Sequence, residues 1–171
     1  MSKKIACLVT NMFEDSEYSE PAKAFQEAGH QVVTIEKEKG KTVTGKQNEV
    51  SVVIDENIDK VNPEQFDALF LPGGFSPDQL RADERFVSFA KTFMNAKKPV
   101  FAICHGPQLL ITAKTLDGRD ATGYTSIKVD MENAGAKFRD EEVVVCQNQL
   151  VTSRQPDDIP AFTREALKLL S

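Results

Sequence analysis

The sequence predicts an α/β fold, a mostly parallel sheet with helices on both faces. Two observations carry that reading. Short apolar runs alternate along the chain with segments of helical periodicity, the pattern of βαβ units. The runs Ile5 to Val9, Ala68 to Leu71 and Val100 to Ile103 are apolar throughout, as strands buried on both sheet faces are. The 171 residues fit a single domain, 1–171, because a chain of that size buries about 70% of the surface its unfolded form exposes. No repeat, linker or low-complexity stretch interrupts it.

The elements follow in order. After the strand Ile5 to Val9 and the polar loop Asn11 to Asp15, a helix is expected from about Ser16 to Ala28. Pro21 is expected near its first turn, and Gly29 supplies the residue that ends it. Gln31 to Ile35 is the second strand. Thr42 to Lys46 and Glu49 to Asp55 form a lesser extended pair, and Asn62 to Gln65 opens a short helical turn. Ala68 to Leu71 runs into Pro72-Gly73-Gly74, a backbone suited to close approach. A helix over Asp83 to Ala96 places Phe86, Val87, Phe89, Ala90, Phe93 and Met94 on its apolar side. The strand Val100 to Ile103 follows, then a helix from Gly106 to about Leu116. A short helix over Ser126 to Ala134 is closed by Gly135. Strands Val143 to Cys146 and Leu150 to Ser153 flank a turn. The last helix starts near Asp157 or Asp158 and buries Phe162, Ala166, Leu169 and Leu170.

Composition narrows the function classes. Acidic residues number 26 against 21 basic ones, a net charge of −5. Nucleic acid and anionic membrane both need a concentrated basic surface, so neither is expected as a partner. Lys37, Lys39, Lys41 and Lys46 are diluted by Glu36, Glu38 and Glu49 and read as a solvated loop or hairpin. No stretch has the roughly 20 apolar residues of a membrane span or the pattern of a signal peptide, and the expected location is the cytoplasm. Three cysteines at wide spacing, Cys7, Cys104 and Cys146, indicate free thiols. No metal-ligand spacing, dinucleotide fingerprint or phosphate loop is present, and no cofactor is expected.

Open sheets of this class hold ligands at the carboxyl ends of their strands. Three loops share that rim: Asn11 to Glu17, Pro72 to Pro77 and Cys104 to Pro107. The strongest candidate is Cys104, where an apolar strand meets a helix start with glycine two residues on, the pattern of a nucleophile elbow. Helix amides and dipole at that position favour thiolate. His105 is either a base beside the sulfur or a residue that shapes the pocket. Of the acids after the first strand, Glu17 is the choice for a protonated carboxyl that bonds to sulfur and moves a proton, with Glu14 in reserve. The others read as solvated or helix-start acids. The amides of Gly74 and His105 suit an oxyanion hole. His30 reads as a helix-end residue, Cys7 and Cys146 as core, and Tyr18, Tyr124 and Phe75 as packing.

These motifs carry a resemblance. Asn11-Met12-Phe13-Glu14-Asp15-Ser16-Glu17, Asp67 to Gly74, Ala102 to Pro107, Ile127 to Gly135 and Val151 to Arg154 closely resemble the PfpI family of intracellular cysteine proteases. That family sits in the superfamily of the Parkinsonism-associated deglycase, which includes stress-protective members. The resemblance implies a flavodoxin-like sandwich with nucleophile Cys104, neighbour His105 and the first-strand glutamate at Glu17. It implies a homodimer or larger homo-oligomer, in which an acid from the adjacent subunit orients the histidine. Asp78 matches that position, where protease-like members carry glutamate. Glutamine amidotransferase relatives use a later histidine, and none follows His105 here.

The expected function is cysteine-dependent protection against methylglyoxal or glyoxal, as a glyoxalase or deglycase on a small aldehyde or glycated substrate. The alternatives are a cysteine protease degrading damaged protein, and a non-enzymatic redox sensor or chaperone.

Overall fold

The computed structural model describes residues 1–171. Five parallel strands form most of the main sheet: β1 (Lys4–Leu8), β2 (Gln31–Glu36), β6 (Ala68–Leu71), β7 (Val100–Ile103) and β11 (Leu150–Ser153). The two-residue β5 (Glu56–Asn57) extends one edge in parallel, and β10 (Val144–Cys146) closes the other edge antiparallel to β11. The order across the sheet is β10, β11, β7, β6, β1, β2, β5. β1, β6 and β7 lie at its centre, so all three candidate loops open at one rim. A small antiparallel hairpin, β3 (Thr42–Thr44) with β4 (Ser51–Val53), stands apart, as does the pair β8 (Asp120–Ala121) with β9 (Lys137–Phe138).

Helices cover both faces. α1 (Asp15–Glu27) and α6 (Ile159–Leu170) pack with Phe25, Phe70, Phe101 and Phe162 on one side. α3 (Glu84–Asn95) and α4 (Gln108–Thr112) pack on the other, where Phe86, Phe93 and Leu110 are fully buried. α2 (Ser76–Leu80) and α5 (Lys128–Asn133) are short. The continuous apolar runs of the sequence, in β1, β6 and β7, are buried on both faces, and so is β11 despite Thr152 and Ser153. In α6, Phe162, Ala166 and Leu170 are buried and Leu169 is only partly so.

Several local expectations are corrected. Pro21 is the seventh residue of α1, past its first turn, so the helix runs on without that amide. α4 ends at Thr112, four residues before the expected Leu116. Lys114 takes φ +60°, and the Lys114 and Thr115 amides donate back to Ile111 and Leu110, closing the helix by a left-handed cap without glycine. Gly29, at φ +92°, closes α1 by the same motif. The loop after β6 contains α2, which buries Pro77 and leaves Phe75 exposed. No helix is long and apolar enough to cross a membrane.

Candidate active site

Cys104 sits where β7 ends, with φ +63°. A side chain in this left-handed region is strained, and the surroundings hold it there. Its amide donates to the Ser153 carbonyl of β11 at 2.9 Å, and its carbonyl accepts from the Tyr124 amide at 2.9 Å. The Gly106 amide turns back to Ile103 at 2.8 Å. A Cβ on Gly106 would collide with the Leu71 carbonyl, so only glycine lets β6 and the elbow approach this closely.

The loop after β6 meets the loop after β1. Glu14 donates its amide to the Gly73 carbonyl, and Phe75 donates to the Met12 carbonyl. Gly74, at φ +79°, faces the backbone of Met12 to Glu14, where a Cβ would not fit. This apposition turns the Gly74 amide toward the Cys104 sulfur, alongside the His105 amide.

Glu17 is completely buried on α1. One carboxyl oxygen accepts from the Gly73 amide at 3.1 Å. The other has no hydrogen-bond partner, and the carboxyl group lies against the Cys104 thiol. Burial, with Glu14 adding to it, pushes the Glu17 pKa up to about 8. The side chain is therefore a neutral carboxylic acid at pH 7.

The Cys104 thiol departs from the sequence expectation. Burial and then the Glu17 charge push its pKa up, and the Gly74 and His105 amides only partly oppose them. The helix that was to supply a dipole is five residues long. A neutral Glu17 removes the carboxylate repulsion, but the thiol still needs an acceptor for its proton. His105 provides a nitrogen, Nδ1, at 3.4 Å from the sulfur. Burial and Lys46 hold the His105 pKa low, against the field of Asp78.

Asp78 is exposed on α2 and acts on His105 through its charge, with no hydrogen bond between them in the chain. The His105 Nε2 instead meets the Ser126 hydroxyl at 3.2 Å. His30 lies away from the site, its Nδ1 accepting from the Lys3 amide. Cys7 and Cys146 are buried in strands.

The pocket above the sulfur has a volume of about 450 Å³. Besides Glu14, Glu17, Cys104 and His105, its walls include Lys46, Phe75, Tyr124 and the turn Gln155 to Asp157. Lys46 is thus a wall of the site, paired with Glu14 at 3.2 Å. Phe75 and Tyr124 line the pocket as well, whereas Tyr18 packs between Phe13 and Phe70. Asp15 is neither solvated nor a simple helix-start acid. It is buried and accepts the Gln47, Glu49 and Val50 amides, fixing the β3–β4 loop that carries Lys46. Burial alone would raise its pKa, but these amides outweigh it and hold the carboxylate below its ordinary range. Arg154 grips Asp158 by its amide and guanidinium, setting the 155–157 turn. Only Phe75 and Tyr124 of these additional walls carried even a general aromatic signal in the sequence; the others come from segments with no local motif.

Fold and site define an α/β protein with an elbow cysteine beside a buried acid. The chain belongs to the DJ-1/PfpI family, whose family model matches residues 3–169. It is 73% identical over 170 residues to General stress protein 18 of Bacillus subtilis (strain 168), with 99% of each chain covered. It is 63% identical to Protein/nucleic acid deglycase 2 of Escherichia coli (strain K12), and 61% identical to "Putative cysteine protease YraA" of Bacillus subtilis (strain 168), each over 170 residues and 99% of both chains. The ThiJ/PfpI domain protein of Brachyspira murdochii superposes with a TM-score of 0.91 at 28% identity, over 98% of this chain and 95% of that one. These relatives support an enzymatic role for the family.

Proposed function

We propose that this chain is a cysteine-dependent enzyme that removes reactive carbonyls, acting on methylglyoxal, glyoxal or their adducts. The observation that carries this reading is Glu17, a buried carboxyl with a pKa raised to about 8, set against the Cys104 sulfur. An acid titrating near the working pH both gives and takes protons.

In this mechanism Cys104 sulfur adds to the aldehyde carbon of methylglyoxal. The new oxyanion faces the Gly74 and His105 amides and takes the Glu17 proton, giving a hemithioacetal. Glu17, now a carboxylate, removes the hydrogen from the former aldehyde carbon to give an enediolate and returns it to the neighbouring carbon, while the hydroxyl proton on the first oxygen passes to the second. The product is a hydroxyacyl thioester on Cys104. Water hydrolyses it to lactate and free thiol. The sequence is an internal redox isomerisation followed by hydrolysis, so no cofactor is required.

A cysteine protease is the second reading, favoured by the Cys104–His105 contact at 3.4 Å and the paired amides. Two features weigh against it. The histidine's far nitrogen meets a hydroxyl in place of a carboxylate, and a pocket of about 450 Å³ suits a small ligand.

The test measures lactate formed from methylglyoxal beside cleavage of an unfolded protein, in wild type and Cys104→Ser. Lactate formation by wild type and a loss of at least ~10³-fold in the variant are expected. Cleavage that alone depends on Cys104 overturns the carbonyl reading.

A further inference from the structure

We propose that Ser126, in the same chain, orients His105 and passes the Cys104 proton out to solvent. The inference rests on Cys104 as nucleophile, the reading given above.

The geometry begins with a buried sulfur that has one basic nitrogen beside it, His105 Nδ1. Cys104 is buried and its pKa is raised, while the adjacent Glu17 is already protonated at neutral pH and cannot accept. The remaining nearby acceptor is His105 Nδ1 at 3.4 Å, and the other ring nitrogen is 3.2 Å from Ser126 Oγ. The three groups form one line from the buried sulfur to an exposed hydroxyl.

The line is held by backbone. The Tyr124 amide donates to the carbonyl of Cys104 itself at 2.9 Å. The Tyr124 ring lies against the imidazole, with centroids 5.0 Å apart and planes 31° apart. The Thr125–Ile127 turn that carries Ser126 is anchored by buried Ile127 and by the Ile127 amide donating to Tyr124. At Gly123 a Cβ would come within 2.9 Å of the Met131 sulfur, so the segment fits closely under the elbow.

A hydroxyl suits this place because it both donates and accepts, whereas a carboxylate only accepts. In the resting state His105 carries its proton on Nε2, donated to Ser126, and Nδ1 accepts from the thiol. On activation the S–H bond breaks and Nδ1 takes that proton. The Nε2 proton passes to Ser126 Oγ, and the serine proton passes to water. The products are a thiolate, a neutral imidazole of the other tautomer and a hydronium ion. The Nδ1 proton then donates to the thiolate, and Nε2 accepts from Ser126. Asp78 influences the ring only through its field. Ser126 is thus a positioning residue acting through His105.

Histidine labelled with ¹⁵N tests this, since the chain has two histidines. His30 is an internal control, because its Nδ1 accepts the Lys3 amide at 3.0 Å and fixes its tautomer. In Ser126→Ala the His105 ring shifts should report a changed tautomer population while the His30 shifts stay put, which also reports an intact fold. Alkylation of Cys104 by iodoacetamide at pH 7 should slow about tenfold, the scale of one lost hydrogen bond. Ser126→Thr, which keeps the hydroxyl, should return to within about twofold of wild type. Unchanged His105 shifts and alkylation in Ser126→Ala overturn the proposal, as does a threonine variant that behaves like alanine. Neither readout uses a carbonyl substrate, so a failure of the carbonyl reading leaves this test intact.

Discussion

At the scale of the residue, Glu17 links chemistry to stability. Its ordinary pKa is 4.5, and burial, aided by Glu14, raises it to about 8 in the folded chain. The folded state therefore holds the proton more tightly than the unfolded state. The resulting stability is fully present below pH 4.5 and is lost as pH rises through 8. Across that window it amounts to several kcal/mol, on the order of 1.36 kcal/mol for each unit of pKa difference. Glu17→Gln keeps the shape without the titrating proton. Urea unfolding from pH 4.5 to 9 should show a falling midpoint in wild type and a flatter one in the variant. Turnover in the variant should fall by roughly 10²–10⁴-fold, the usual contribution of a placed acid–base group. Equal pH dependence in both proteins would mean that Glu17 is ionised in the folded state.

At the scale of the element, the loop of the β3–β4 hairpin is gathered toward the site mainly by one buried carboxylate, Asp15. Asp15 accepts three loop amides at 2.8 to 3.0 Å, while the Lys46 amide donates to Phe13. Asp15→Ala leaves those amides without their acceptor and should destabilise the protein by at least about 3 kcal/mol, since hydrogen bonds to a charged group contribute ~1.5–3 kcal/mol each and the freed amides recover part of the loss by bonding to water. Faster hydrogen exchange at residues 46–50, with a raised KM, would show that the Lys46 wall has loosened. A KM and exchange rates like those of wild type would detach the hairpin from the site. This dependence was not legible in the sequence, where Asp15 looks like a helix-start acid and Lys46 like a solvated lysine. The central strands were legible because burial on both faces demands unbroken apolar runs. So was the elbow, because Cys104, Gly106 and Pro107 are neighbours in the chain. Two-residue strands such as β5, β8 and β9 have no periodicity to read. The early end of α4 escaped because Lys114 fills the left-handed position where glycine would have announced it.

At the scale of the whole molecule, the pocket mouth exposes large apolar side chains. Phe75 is 57% exposed and Tyr124 38%, and Met12 in the adjoining loop is 44% exposed. Such groupings mark contact surfaces, and we propose that a second copy of the chain meets the protein at the edge of this face. Light scattering after size exclusion should give at least twice the chain mass. If an Asp78 carboxylate from a neighbouring subunit, in place of Ser126, orients His105, then Asp78→Ala is inactive and mixing it with Cys104→Ser subunits restores activity; an active Asp78→Ala leaves that role to Ser126. A fully active monomer removes the cross-subunit role. The walls of the pocket come from residues 14–17, 46, 75, 104–105, 124 and 155–157, nearly the full span of the chain. Bringing such distant segments together requires closing long loops, whose entropy opposes the contact until the intervening structure exists. The pocket is therefore a property of the finished topology alone: a partly folded or clipped copy can carry every strand of the central sheet and still be chemically silent.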